Sequence, residues 1–282
     1  MVLEALLDPD SASGKPWAMI VLSMAFVAIA IAGAKFLLQS STSLLVVALI
    51  ALPSVTLISN IFNRAESGYG GTGKRGTVTR YLPILITLGS YFVGIMVAIT
   101  FFYLILPPAD RDDFFHDQSS ELSFISSTVS GHAVETSYQG DLGSAFEFLF
   151  LNNLKVLMII LGGSVLYGAG AVFVLDWNAS VLGVFIGGLA RQLVQSEPAK
   201  YTIWSGLGAG LLGIFPHGTF ELFAYLCAAL AGGVLSAALL RQKYKDPDFL
   251  VVIFDVAKLT AWAVLLLAIG AFIEGSSLAG IA

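Results

Sequence analysis

Apolar runs about as long as a bilayer is thick recur along most of this chain, and they constrain it more than any other feature. The hydrocarbon core of a membrane is about 30 Å across, which a helix spans with about 20 residues. Runs of that kind occupy Trp17–Leu38, Ser43–Phe62, Tyr81–Leu106, Leu154–Leu175, a shorter Ala179–Val194, and Leu250–Ile273. Lipid offers no partners for backbone N–H and C=O groups, so such runs must be helical. The expectation is therefore an all-α polytopic membrane protein. Hydrophobic residues make up 57% of the chain and charged residues 12%, against roughly 45–50% and about 25% in soluble domains. The runs leave no stretch long enough for a soluble domain beside them. The 29 glycines would weaken helices in water, but in a membrane they let helix backbones approach closely.

Ile203–Leu240 needs separate treatment. As one helix it would be about 57 Å long, and Pro216 falls near its middle. Proline removes a backbone donor and clashes with the preceding turn. The reading is a first piece, Ile203–Phe215, either re-entrant or a short span, and a second, His217–Leu240, that spans. The fold expected is thus about seven transmembrane helices with one broken or re-entrant at Pro216. Residues 1–63 form an N-terminal helical hairpin closed by Gln39–Thr42. Residues 64–80 form a basic, glycine-rich link, and residues 81–282 form the core.

Loop charge sets orientation, because Lys and Arg stay cytoplasmic. Arg64, Lys74, Arg75 and Arg80 place one link inside, and Arg241, Lys243 and Lys245 place another there. The link Pro107–Gly143 carries Asp110, Asp112, Asp113, Asp117, Glu121, Glu135 and Asp141 against Arg111, and is expected outside. With a cytoplasmic N-terminus, seven crossings satisfy all three assignments. No Ala-x-Ala pattern follows the first apolar run, so that span is expected to be retained. Asp176-Trp177-Asn178 reads as a tight turn on the cytoplasmic side. The glycosylation pattern Asn178-Ala179-Ser180 is discounted for that reason.

The acidic link, serine-rich over Gln118–Ser130, has two readings: a solvated, partly disordered loop, or a docking surface for an external partner. Its end, Gly143–Asn153, interleaves Phe146, Phe148 and Phe150 with Glu147, and reads as an interfacial helix leading into the fourth span. Asn152 and Asn153 at that point can cap a helix end or bond across helices.

Within the membrane, Pro216-His217-Gly218 and Glu221 form the strongest local feature. His217 and Glu221 share a helix face at i, i+4, above a small-residue stripe of Ala224, Ala228 and Gly232 that should pack into the bundle. A pair bonded to lock the helix break, a proton or ion pathway, and a metal site are all open to such residues. The patterns of zinc proteases are missing, and His116 and His132 lie in the acidic link. In the last span Asp255 and Lys258, at i, i+3, can pair, and Glu274 can anchor the span's end. Cys227 is the only cysteine, which excludes an intrachain disulfide and reads as a packed thiol. No nucleotide fingerprint, nucleophile elbow or triad is found, so neither catalysis nor a cofactor is expected. The absence of a basic patch points away from nucleic acid.

Phe148-Leu149-Phe150-Leu151-Asn152-Asn153, then Asn178 followed by Gly183, then Pro216-His217-Gly218 with Glu221, then Phe272-Ile273-Glu274 occur in an order that resembles the stage II sporulation protein M family. The N-terminal hairpin is similar to the archaeal version. The resemblance implies a membrane protein without assigned enzymatic activity, whose named member works beside cell-wall hydrolases during engulfment. It marks Asn152, Asn153, Pro216, His217, Gly218, Glu221 and Glu274 as candidate functional residues.

Two readings of function follow. One is a non-enzymatic scaffold that recruits protein partners through the acidic link, the Phe146–Asn153 helix or the basic links. The other is a transporter, channel or lipid-handling protein using the helix break and the His217/Glu221 pair. Membrane lipids are partners in either case, and self-association into a homo-oligomer stays open.

Overall fold

A computed structural model describes residues 15–37, 42–67, 77–123, 142–241, 243–245 and 249–278. Most of the N-terminal segment, the 68–76 part of the basic link, the 124–141 part of the acidic link with His132, and the last four residues lie outside the described residues. The elements are α1 (Pro16–Leu37), α2 (Thr42–Ser67), α3 (Thr77–Ile105), α4 (Pro108–Phe114), α5 (116–123), α6 (Leu142–Tyr167), α7 (Ala171–Ser196), α8 (Ile203–Leu240), a 3₁₀ turn (Lys243–Lys245) and α9 (Phe249–Leu278). No strand occurs among the described residues. Seven of the helices are long and apolar enough to cross a membrane.

The bundle is held by close backbone approaches at small residues. Helices α3 and α7 run parallel: Gly183 sits where a methyl group would come within 2.8 Å of the Met96 carbonyl. The Thr100 hydroxyl donates to the Gly183 carbonyl at 3.1 Å. The second half of α8 is the centre of the fold. Ala224, Ala228, Ala229, Ala231 and Ala238 are fully buried, and at Gly232 a methyl group would meet the Leu161 carbonyl of α6 at 2.7 Å. Such contacts replace the hydrophobic drive that lipid does not supply. Cys227 is buried in this stretch and carries no disulfide.

Three local expectations are corrected. First, α8 does not break at Pro216: it is one continuous helix of 38 residues. Pro216 is exposed, so its ring points away from the packed side, and an apolar setting makes helix the favoured state even with one hydrogen bond missing. The helix starts at a capping box, in which Thr202 and Ser205 each satisfy the other's backbone N–H. Second, Asp176-Trp177-Asn178 is no turn but lies inside α7. The chain instead turns at Gly168, whose φ of 65° suits glycine. The turn lies within an apolar run, where hydropathy gives no sign of it. Third, Phe146–Asn153 is not a separate interfacial helix. It is the first half of the spanning helix α6, with Ala145 and Leu149 buried against the bundle.

The acidic link is helical where it is described. Asp110 pairs with Lys35 of α1 at 2.7 Å. The Thr42 and Ser43 hydroxyls at the head of α2 donate to the Asp113 carbonyl at 2.7 and 3.2 Å. Phe114 and Phe115 are buried, and Arg111 stacks over Tyr103 of α3. Helix α5 then runs down between α2 and α7. The Asp117 N–H donates to Ser43, Gln118 donates to Ser180 at 3.2 Å, and Trp177 donates to Glu121 at 2.6 Å. Trp177 neighbours Asp176, which bonds to Tyr91 near the midpoint of α3. Helix α5 therefore packs along α2 and α7 from the end of the bundle inward, and the piece before Pro216 is continuous with the rest of α8.

Candidate functional site

Three helices bring the intramembrane polar residues together. Asn153 of α6 donates to the Glu221 carboxylate of α8 at 2.6 Å, and the Tyr225 hydroxyl, one turn further along α8, donates to the Asn153 side-chain oxygen at 3.1 Å. The amide therefore bridges an acceptor and a donor on the neighbouring helix. Helix α9 closes the third side. At Gly270 a methyl group would come within 3.0 Å of Glu221 Cγ and 3.3 Å of the His217 carbonyl. Glu274 of α9 lies within electrostatic reach of Glu221 and His217. The cluster descends from Glu274, one turn short of the end of α9, through His217 to Glu221, Asn153 and Tyr225. Below it the Ala- and Gly-rich half of α8 is buried and closely packed.

Of the residues picked from sequence, Asn153, His217, Glu221 and Glu274 belong to this cluster. His217 and Glu221 do share a face, but the hydrogen-bond partner of Glu221 is Asn153. Asn152 is exposed on the other side of α6. Asn178 bonds to the Val174 carbonyl of its own helix at 2.7 Å and takes no part. Pro216 is exposed, and Gly218 faces an apolar groove on the opposite side of α8. Tyr225 was missed: in sequence it is one more aromatic in an apolar run. Its i+4 spacing from Glu221 was the available signal.

A second polar site joins the other end of the bundle. Asp255 of α9 is nearly buried and accepts from Arg80 at 2.7 Å and from Thr77 at 2.6 Å, both on α3. Its i+3 neighbour Lys258 is only 3.9 Å away and largely exposed. The local pair read from sequence is thus secondary to an ion pair across 175 residues of chain. A third site was not anticipated. Tyr91 of α3 donates to Asp176 of α7 at 2.7 Å, and both are buried. This pairing explains how a carboxyl sits within α7 where a turn was expected. Among the described residues no set of His, Cys, Asp and Glu side chains converges as metal ligands.

The remaining feature is the acidic surface of α4 and α5. Asp112 and His116 are 74% and 73% exposed, while the same segment is tied to α1, α2, α3 and α7 by the contacts above.

Fold and sites together define a polytopic helical membrane protein with interhelical polar locks and an acidic helical cap at one end. The chain belongs to the stage II sporulation protein M family, whose sequence model matches residues 83–276. An uncharacterized protein of the archaeon Methanocaldococcus jannaschii is 34% identical over 132 residues, covering 46% of this chain and 68% of that one. No solved structure matches the chain.

Proposed function

We propose that this protein is a non-enzymatic, partner-recruiting component of a membrane complex, with the α4–α5 cap as its docking surface. The observation that carries this reading is the cap's attachment. A solvated loop would make few bonds to the bundle, whereas this one bonds to or packs on four spanning helices while Asp112, Asp113 and His116 stay exposed. A surface ordered before binding loses little entropy when a partner docks. Its charge selects a partner with a basic face. The acidic charge of the link supports an orientation with this end outside the cytoplasm, and on that orientation the partner is an extracytoplasmic or membrane protein. The polar sites inside the bundle fit the same reading. Glu221, Asp255 and Asp176 are each bonded to a side chain of another helix, as locks that hold the scaffold's shape.

The test is purification from native membranes in mild detergent, with mass spectrometry of what accompanies the chain. A protein at comparable abundance is expected. It should be lost in an Asp112→Lys/Asp113→Lys/Asp117→Lys variant that leaves the Lys35–Asp110 pair intact. Purification alone, or a partner retained by that variant, would overturn the reading.

One observation favours transport as a second reading: His217, Glu221 and Glu274 form a largely buried ionisable chain from one end of the bundle inward. Proton or cation flux in proteoliposomes, lost in Glu221→Gln, would favour it.

A further inference from the structure

The face of α8 opposite the polar cluster lines an open apolar groove. The groove has a volume of about 440 Å³ and is framed by three helices, α3 (Leu85 to Met96), α7 (Leu182 and Ile186) and α8 (Leu211 to Leu226), with Ile20 of α1 at its edge. Its rim residues Ile86, Leu211, Phe215 and Phe223 are exposed. They lie within apolar spanning helices, so the groove opens sideways onto hydrocarbon and not onto water.

A second cavity, of about 240 Å³, is framed by the same three helices nearer the end of the bundle, at Leu104 of α3, Arg191, Val194 and Gln195 of α7, and Ile203 of α8. From Met96 to Leu104 along α3 is about 12 Å. Going up this cleft, the lining changes from largely apolar, with only the Ser90 and Thr219 hydroxyls, to cationic. The change falls close to the end of α3, at Ile105, where the apolar span itself ends.

Arg191 is oriented by one bond, from Nη1 to the Leu104 carbonyl at 2.9 Å. A guanidinium has five N–H donors. Among the described residues Arg191 makes no ion pair, and the acid six residues further on, Glu197, faces Lys200 at 3.4 Å. An oriented cation with donors to spare, at the head of a hydrocarbon-facing groove, complements a molecule with a phosphate at one end and a long apolar chain.

We propose that the α3–α7–α8 cleft holds one anionic phospholipid, its phosphate on Arg191 and Gln195 and one chain in the groove between Met96 and Leu226. Arginine suits this role because its planar fork takes two phosphate oxygens at once. The site is separate from the α4–α5 cap and stands whether or not that cap recruits a partner.

The test is native mass spectrometry of the full chain released from mixed micelles of phosphatidylglycerol and an uncharged, phosphate-free glucosyl diacylglycerol with identical chains, at equal concentration. One retained lipid per chain is expected, with phosphatidylglycerol favoured about tenfold, the size of a charge-assisted bond pair. Arg191→Gln should bring the ratio to about one. Gln195→Glu, which leaves the Arg191–Leu104 bond in place, should reverse the preference. Ser90→Phe, which fills the groove, should abolish retention of either lipid. Wild-type chain retaining no lipid, or both lipids equally, would overturn the proposal, as would a preference unchanged in Arg191→Gln or Gln195→Glu.

Discussion

Replacing Asp255 with alanine is expected to lower the stability of the bundle by about 3 kcal/mol. The carboxylate is 6% exposed and Arg80 only 16%, so the substitution leaves a guanidinium in a low-dielectric site without its carboxylate. Loss of one partner of a buried pair is costly because the remaining charge cannot regain water. Thr77 also loses its acceptor at 2.6 Å. Lys258→Ala should cost under about 0.5 kcal/mol, since that lysine is 60% exposed and 3.9 Å away. Denaturant titration of the purified protein in detergent, followed by far-UV circular dichroism, measures both. Equal losses for the two variants would mean that Asp255 is held by its own helix and not by α3.

The second large effect is expected at Asn153. Its alanine variant removes both the donor to Glu221 and the acceptor from Tyr225. Interhelical hydrogen bonds in membranes contribute about 0.6 kcal/mol on average and up to about 1.7. Two bonds to half-buried and buried groups place the loss at about 2 kcal/mol. Glu221→Gln keeps an acceptor for Asn153 and should cost less than about 1 kcal/mol. A double-mutant cycle over Asn153→Leu and Glu221→Leu should show a coupling of more than about 1 kcal/mol, since removing both polar groups leaves neither unsatisfied. Additive losses in the same titration would show that the two side chains do not lock α6 to α8.

The membrane class and the helical fold were legible in the sequence because the bilayer imposes one length and one secondary structure on every crossing. What was not legible depended on partners far away in the chain. Asp176-Trp177-Asn178 was read as a tight turn, but Tyr91, 85 residues before Asp176, makes its carboxyl tolerable within a span. The real turn, at Gly168, is apolar on both sides and leaves no hydropathy signal. Pro216 was given too much weight as a breaker, since proline costs a helix more in water than in lipid, where no competing partners exist for the backbone. Asp255 was matched with the nearest cation in sequence, Lys258, whereas the packing of α9 on α3 supplies Arg80. In the candidate site, Asn153, His217, Glu221 and Glu274 were marked by family resemblance and chemistry. Their meeting on three helices required the fold, as did Tyr225. The acidic link was ambiguous for a similar reason. Its serines and aspartates read as solvated, and its buried anchors Phe114, Phe115 and Gln118 are too few to stand out.

The ordered attachment of that link is the claim on which the proposed function rests, and cross-linking tests it most directly. Gln118→Cys and Ser180→Cys are introduced into a Cys227→Ala background, which removes the single native thiol. Membranes are treated with a short bifunctional methanethiosulfonate, and the joined peptides are quantified by mass spectrometry. The Gln118 and Ser180 side chains lie 3.2 Å apart, so near-complete joining is expected. A Ser120→Cys/Ser180→Cys control, with Ser120 exposed, should give little. If position 118 instead reacts with impermeant reagents as fast as position 120 and is not joined to 180, the link is a loose loop and the bundle carries no docking cap.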